Sequence, residues 1–308
     1  MKLAIGSGVA FHEPLVRHGP AALEQPEKLR RHLAWWKQQG VEGIVFYDVY
    51  PDFYARPIEH FQRIKAVLDE VGLAVGGFNA LRKTLFLPEL ADHDEKQTYC
   101  CLEVAAALGA PIFDISVNVP LPTQRDPYAS ATRQIFRGEL APDGFYDEAA
   151  RRLKPVARAC AKAGMELSLE LHDDGLQSTA EGCLKLLRLI DEPNVGVNPD
   201  LGNWARVPYE RLDTWRDQIN QLAARTNYWE VKNYQSVYLA DERRYASWST
   251  LLDDGMVDFR EAATILWRAG FRGWVCNEGG TGDYVRSQLR FLEYLRWILD
   301  EWIPATEE

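Results

Sequence analysis

Four acidic residues carry the chemistry this sequence offers: Glu170 in MELSLELH, Asp200 in VGVNPDLGN, Glu230 in NYWEVKNY and Glu278 in GWVCNE. Each stands at or near the C-terminal end of a short strand-like run, and the four runs are consecutive. If those strands close into a barrel, their ends converge on one mouth. Four unpaired anions there repel one another and push their pKa values up unless a cation binds. A hard divalent ion with oxygen ligands, Mn²⁺ or Mg²⁺, relieves the repulsion directly. Such a site supports proton abstraction next to a carbonyl. One carboxylate takes the proton, the ion acts as a Lewis acid on the enediolate oxygen, and a second carboxylate returns the proton elsewhere. Lys232, two residues beyond Glu230 and on the same strand face, offers a competing account of Glu230 as half of an ion pair.

The elements that must position these residues show in the period of two. In the run around Glu170, Leu167, Leu169 and Leu171 fall on one side, and Ser168, Glu170 and His172 on the other. The preceding strand repeats the pattern, with Phe113, Ile115 and Val117 alternating with Asp114, Ser116 and Asn118. The leucines should meet helices and the polar set should face inward. An unsatisfied buried polar group costs roughly 1 to 3 kcal/mol, so a ligand, a metal or a self-satisfied hydrogen-bond network must serve that set.

Eight such strands can be read, near Leu3 and from Gly43, Leu73, Pro111, Met165, Val195, Asn227 and Gly273, separated by amphipathic helix-like segments. Several of these segments end in Gly just before the next strand, as a helix C-cap should. Eight strand–helix alternations predict a (β/α)8 TIM barrel spanning residues 1–308 as one domain, because such barrels run to roughly 250 residues plus insertions. The rival, an open doubly wound sheet, lacks a GxGxxG turn after the first strand. Two polar stretches, Pro120 to Asp147 and Tyr234 to Asp258, follow strand C-termini and are expected to be loops on the catalytic face, either lids or surface decoration.

Composition narrows the class. The chain has 308 residues, 46% of them hydrophobic, enough for a sizeable core. Its 35 Lys and Arg against 45 Asp and Glu give a net charge of −10, and no basic stripe interrupts that field, so no nucleic-acid partner is expected. Apolar runs fall well short of the roughly 20 residues that cross a bilayer, so no membrane span is expected. The N-terminus reads as a first strand rather than a leader. The 5 scattered cysteines form no CxxC pair, which points to a reduced, cytoplasmic setting.

The succession of ELH, VGVNPDLGN, VKN and GMVDFREAATILWRAGFRGWVCNE resembles the sugar-phosphate isomerase/epimerase superfamily of xylose isomerase-like TIM barrels, most closely between Met165 and Glu278. The resemblance implies a divalent metal held by Glu170, Asp200, a histidine on the seventh strand and Glu278. It also implies that Glu170 and Glu278 flank a carbohydrate substrate as acid and base. In this chain Glu230 replaces the usual histidine two residues before the Lys, making it the expected fourth ligand and favouring hard ions over zinc. Asn203 stands where many relatives have His, and with Lys232 it is expected to meet substrate.

Around this centre, His172 is expected either to polarise a substrate oxygen or to orient Glu170. Asn118 belongs to the inward polar set, and His12, after the first strand, is placed to reach the mouth. Trp204 and Trp248 are expected to stack on substrate, while the strand parity of Trp229 points outward into packing.

The expected function is a metal-dependent isomerase or epimerase of a sugar or keto-sugar. The same enediolate would also serve a lyase, a dehydratase or a 3-keto-glycoside eliminase, whose aglycone the aromatic-rich loops could receive. A homo-oligomer, or a small partner subunit in the lyase case, is an open expectation. A DNA-repair endonuclease is disfavoured by six histidines and the acidic charge, and a sugar-binding barrel that has lost its metal is the non-enzymatic alternative.

Overall fold

The computed structural model describes residues 1–11, 25–49, 53–120, 136–211 and 213–306. Among these the strands are β1 (Lys2–Gly6), β2 (Gly43–Tyr47), β3 (Ala74–Ala80), β4 (Ile112–Ile115), β5 (Glu166–Glu170), β6 (Val195–Asn198), β7 (Trp229–Val231), β8 (Asn233–Leu239), β9 (Arg244–Thr250) and β10 (Trp274–Asn277). The principal helices are α1 (Pro26–Gln38), α2 (Ile58–Val71), α3 (Pro88–Leu108), α4 (Asp143–Lys162), α5 (Ala180–Ile190), α6 (Leu201–Ala205), α7 (Trp215–Leu222), α8 (Phe259–Arg268) and α9 (Tyr284–Trp297).

Eight strands form one parallel sheet in the order β6-β5-β4-β3-β2-β1-β10-β7. Its ends meet through a parallel bridge between Val197 and Thr226, where Asn227 N donates to Val197 O at 3.2 Å, so the sheet nearly closes into the expected TIM barrel. Gly72 and Gly109 end α2 and α3 in the left-handed region, at φ of 77° and 66°, as their places before β3 and β4 imply.

Side-chain parity divides the core. Leu167, Leu169 and Leu171 of the fifth strand join the large apolar layer between sheet and helices, with Phe113, Ile115 and Val117 of the fourth. A smaller cluster of Ala4, Val45, Tyr47, Ile112, Tyr228, Trp274 and Cys276 lies apart from it. Room for the Trp274 indole comes from Gly43 and Gly76, since a Cβ on Gly43 would stand 2.7 Å from that ring. Ser168 and Glu170, the polar partners of the leucines, are buried as well, which places them on the barrel side of the sheet.

Two segments differ from the expected loops. Between Tyr234 and Asp258 the chain forms an antiparallel hairpin, β8 against β9, with Asn233 opposite Thr250 and Leu239 opposite Arg244. The β-rich alternation in QSVYL and RYASWS outweighs the overall polarity of the stretch. Of the segment 120–147, residues 121–135 lie outside the described set, and its end is helical: α4 begins at Asp143, six residues before the amphipathic pattern starts at Ala149. No helix among the described residues is long and apolar enough to cross a membrane.

Candidate metal centre and active site

At the C-terminal ends of β5, β6, β7 and β10, Glu170, Asp200, Glu230 and Glu278 each present an oxygen within 4.8 Å of the others. Glu170 ends β5 on the inward parity. Its Oε1 accepts from Asn203 Nδ2 at 2.8 Å, while Oε2 is buried with no partner. Asp200 caps α6: Oδ1 accepts from the backbone N of Gly202 at 2.9 Å and of Asn203 at 3.2 Å. Its Oδ2 accepts from Asn203 Nδ2 at 3.1 Å and faces Lys232 Nζ at 3.0 Å. Asn203 thus bridges two of the carboxylates.

The Lys232 ammonium also pairs with Glu278, whose backbone N extends the β10–β7 ladder by donating to Val231 O at 3.1 Å. Two glycines admit the lysine. A Cβ on Gly202 would lie 2.3 Å from Lys232 Cγ, and one on Gly279 would lie 2.6 Å from Lys232 Cβ.

Glu230 is surrounded differently. Oε1 accepts from the hydroxyls of Tyr47 at 2.8 Å and Tyr228 at 3.0 Å, and Oε2 from Nδ2 of Asn79 at 3.0 Å and Asn198 at 3.3 Å. The same two amides each reach Asp114 Oδ2 at 3.0 Å, while Asp114 Oδ1 has no partner.

The electrostatics separate these acids. Burial, then the charges of Glu230 and Glu278, push Glu170 well above the usual carboxylate range. Burial does the same for Glu230, reinforced by Glu278 and Asp114, and burial drives Asp114 up to about 8. Burial also raises Asp200 despite Lys232, but at Glu278 the lysine outweighs burial and holds the carboxyl below its ordinary value. The donor set is all oxygen, and it includes a buried carboxylate oxygen with no partner at Glu170. Those features fit a hard divalent ion such as Mg²⁺ or Mn²⁺.

His172 stands beside this centre in a network of its own. Its Nδ1 lies 2.8 Å from Asp174 Oδ1 and 3.1 Å from Asp173 Oδ1. Asn118 Nδ2 donates to Asp174 Oδ1 at 2.6 Å and lies 2.9 Å from His172 Nδ1. With the Nδ1 proton assigned toward the carboxylates, His172 Nε2 accepts from Arg206 Nη2 at 3.3 Å. Arg206 also pairs with Asp173, and Arg82 with Asp174, so these two acids are charge-balanced without an ion.

Among the remaining predicted contacts, Trp204 and Trp248 have other neighbours. Trp204 is buried, its Nε1 donating to Asp213 at 3.3 Å and its ring covered by the Arg211 guanidinium at 4.3 Å. Trp248 is half exposed and pairs with Gln235. It lies on the hairpin face opposite Ser247 and Ser249, which donate to Arg206 O and Gly280 O, each at 3.0 Å. Trp229 packs against Phe259 with ring centroids 5.8 Å apart. His12 falls outside the described residues.

Sequence reading passed over Tyr47, Tyr228, Asn79, Asn198 and Arg206. Asn198 alone carried a signal, two residues before Asp200 on the same strand face. A cavity of about 330 Å³ opens beside Glu278, walled by Gly6, Tyr47, Val49, Leu81, Asn277 and Tyr284.

Solved structures share this architecture. A xylose isomerase-like TIM barrel protein from Mycobacterium smegmatis, in complex with magnesium, superposes with a TM-score of 0.75 at 20% identity, covering 90% of each chain. The apo form of 3-keto-D-glucoside 4-epimerase from E. coli superposes with a TM-score of 0.66 at 17% identity over 96% of this chain and 99% of its own. Mannonate dehydratase from Streptococcus suis gives 0.67 at 16% identity, over 97% and 93%. At these identities the likeness establishes the fold. No curated protein sequence matches the chain. The model of the xylose isomerase-like TIM barrel family matches residues 33–295, which is most of the sequence, and the chain belongs to that family.

Proposed function

We propose that this protein is a divalent-metal-dependent isomerase or epimerase acting on a sugar or keto-sugar through proton transfer next to a carbonyl. The observation that carries the reading is the convergence of Glu170, Asp200 and Glu278, the last of which lines the cavity, with Glu170 Oε2 buried and unpartnered. Structural neighbours support it, since one acts on a keto-glucoside as an epimerase and another contains magnesium.

Glu170, Asp200 and Glu278 are the residues that would hold the ion. When bound, it supplies Lewis-acid polarisation of the substrate carbonyl and neutralises the converging carboxylates. Glu278 fronts the cavity and is kept ionised by Lys232, so it accepts the proton from the carbon next to the carbonyl. Glu170 returns a proton to the neighbouring carbon for isomerisation, or to the opposite face of the same carbon for epimerisation. Asn203 fixes the orientation of both Glu170 and Asp200, and Lys232, paired with Asp200 and Glu278, offers its remaining hydrogen to a substrate oxygen.

The test is turnover of a panel of keto-sugars in D₂O with Mn²⁺ or Mg²⁺ supplied. Product carrying solvent deuterium at the carbon next to the carbonyl is expected. Product without it, as a hydride shift would give, sinks the proton-transfer reading.

A second reading, elimination of a leaving group β to the carbonyl, draws on the apolar walls that Tyr47, Val49, Leu81 and Tyr284 give the cavity. It agrees with the dehydratase among the neighbours. Product mass separates the two, since elimination loses the leaving group and isomerisation conserves mass.

A further inference from the structure

We propose that Glu230 is not a ligand of the divalent ion: Glu170, Asp200 and Glu278 hold it, and Glu230 is a fully hydrogen-bonded side chain inside the barrel. The inference rests on the metal-dependent reading above and specifies the centre that reading requires.

A carboxylate has about four lone-pair sites, two on each oxygen. In Glu230 all four are in use, two by the hydroxyls of Tyr47 and Tyr228 and two by the amides of Asn79 and Asn198. The donors are themselves fixed. Glu230 N donates to Asn198 Oδ1 at 2.8 Å, which turns the Asn198 NH₂ group back toward the acids. Each asparagine spends its second hydrogen on Asp114 Oδ2. The hydroxyl of Tyr47 has one alternative neighbour, Cys276 Sγ at 3.6 Å, a weak acceptor.

For Glu230 to ligate an ion, one of these donors must be stranded in a site that excludes water. Glu170 bears no such penalty, because its Oε2 is buried and bare. Asp200 also meets four donors, but the one an ion would displace is the Lys232 ammonium, which keeps Glu278 as a partner. Position on the strand and distance to the other carboxylates both point to Glu230 as the fourth ligand. The hydrogen-bond inventory removes it. Three carboxylate ligands would leave a hard divalent ion able to take water or substrate oxygens as well.

The experiment measures Mn²⁺ affinity by titration of wild-type protein and of the Glu230→Gln, Glu170→Gln and Asp200→Asn variants. Glu230→Gln is expected to stay within about threefold of wild type, while the other two, as direct ligands, weaken binding by more than the roughly tenfold that loss of a group supporting a ligand already costs. A second measurement needs no variant: wild-type protein crystallised with Mn²⁺ should place the anomalous peak at ligand distance from Glu170, Asp200 and Glu278 but not from Glu230. Equal losses in Glu230→Gln and Glu170→Gln, or a Glu230 oxygen at ligand distance, overturn this assignment while leaving the metal-dependent function standing. Wild-type protein that takes up no Mn²⁺ overturns both.

Discussion

Lys232 Nζ lies 3.0 Å from Asp200 Oδ2, and the same ammonium pairs with Glu278, so one positive charge is shared between two of the converging carboxylates. Burial disfavours its charge, but Asp200 and Glu278 outweigh that cost and keep it protonated. A divalent ion bound here would compete with the lysine for the same oxygens, and the balance between them would set both stability and metal uptake.

Lys232→Met removes the ammonium and keeps much of the stem volume. The metal-free variant is expected to lose about 3–5 kcal/mol, the usual result of leaving buried anions uncompensated. Its Mn²⁺ affinity should rise, since a neighbouring positive charge is gone. Denaturant titration with and without Mn²⁺ checks both, and a variant as stable as wild type without metal would contradict the pairing.

Gly202→Ala places a methyl group against Lys232, whose carbonyl O would be 2.5 Å from the new Cβ. Because backbone as well as side chain must shift, a cost of about 1–3 kcal/mol is expected, with turnover reduced by displacement of the ammonium. Thermal denaturation and steady-state kinetics on one preparation would show both effects. Unchanged values for both would mean that the lysine is not held by this close approach.

Glu170→Gln and Glu278→Gln preserve shape and remove a base. Each is expected to lower turnover by at least the roughly 10²-fold typical of losing a general acid or base, with solvent-deuterium exchange into substrate falling in parallel. Near-normal exchange in both variants would place the proton transfer elsewhere.

The metal-free protein should lose stability as pH rises from about 5 to 8. Asp114 is raised by burial to about 8, so in that window the folded chain holds a proton that the unfolded chain has released. Stability then falls with pH, by about 1.4 kcal/mol per pH unit for each such group. Asp114→Asn should remove one proton's share of the slope. Denaturant midpoints measured across that range would reveal it, and a slope rising with pH would reverse the assignment.

The hairpin of β8 and β9 reaches the mouth through Ser247 and Ser249, and closure of this hairpin over substrate is expected. Amide exchange at residues 234–258 should slow when a keto-sugar binds at saturating concentration. Equal exchange with and without ligand would leave the hairpin a static wall.

Much of this protein is legible in one dimension. Alternation at Leu167–His172 sorted inward from outward side chains, and strand–helix rhythm specified the barrel, because both reflect a local period that the chain carries within a few residues. The places of Glu170, Asp200, Glu230 and Glu278 at strand ends followed from the same period. Partnership was not legible. Whether Glu230 faces an ion or four donors depends on Tyr47, Asn79 and Asn198, which arrive from other strands, and register across strands is set by packing rather than by neighbours in sequence. For the same reason Trp204, which the sequence offers as a stacking platform, lies buried under Arg211, and Trp248 is half exposed opposite Gln235 once β8 and β9 pair. The sequence by itself determined which groups could do chemistry and at which end of the barrel. Only the tertiary structure decided which of their oxygens remain free, because a hydrogen bond is a contact between distant residues and leaves no period in the chain.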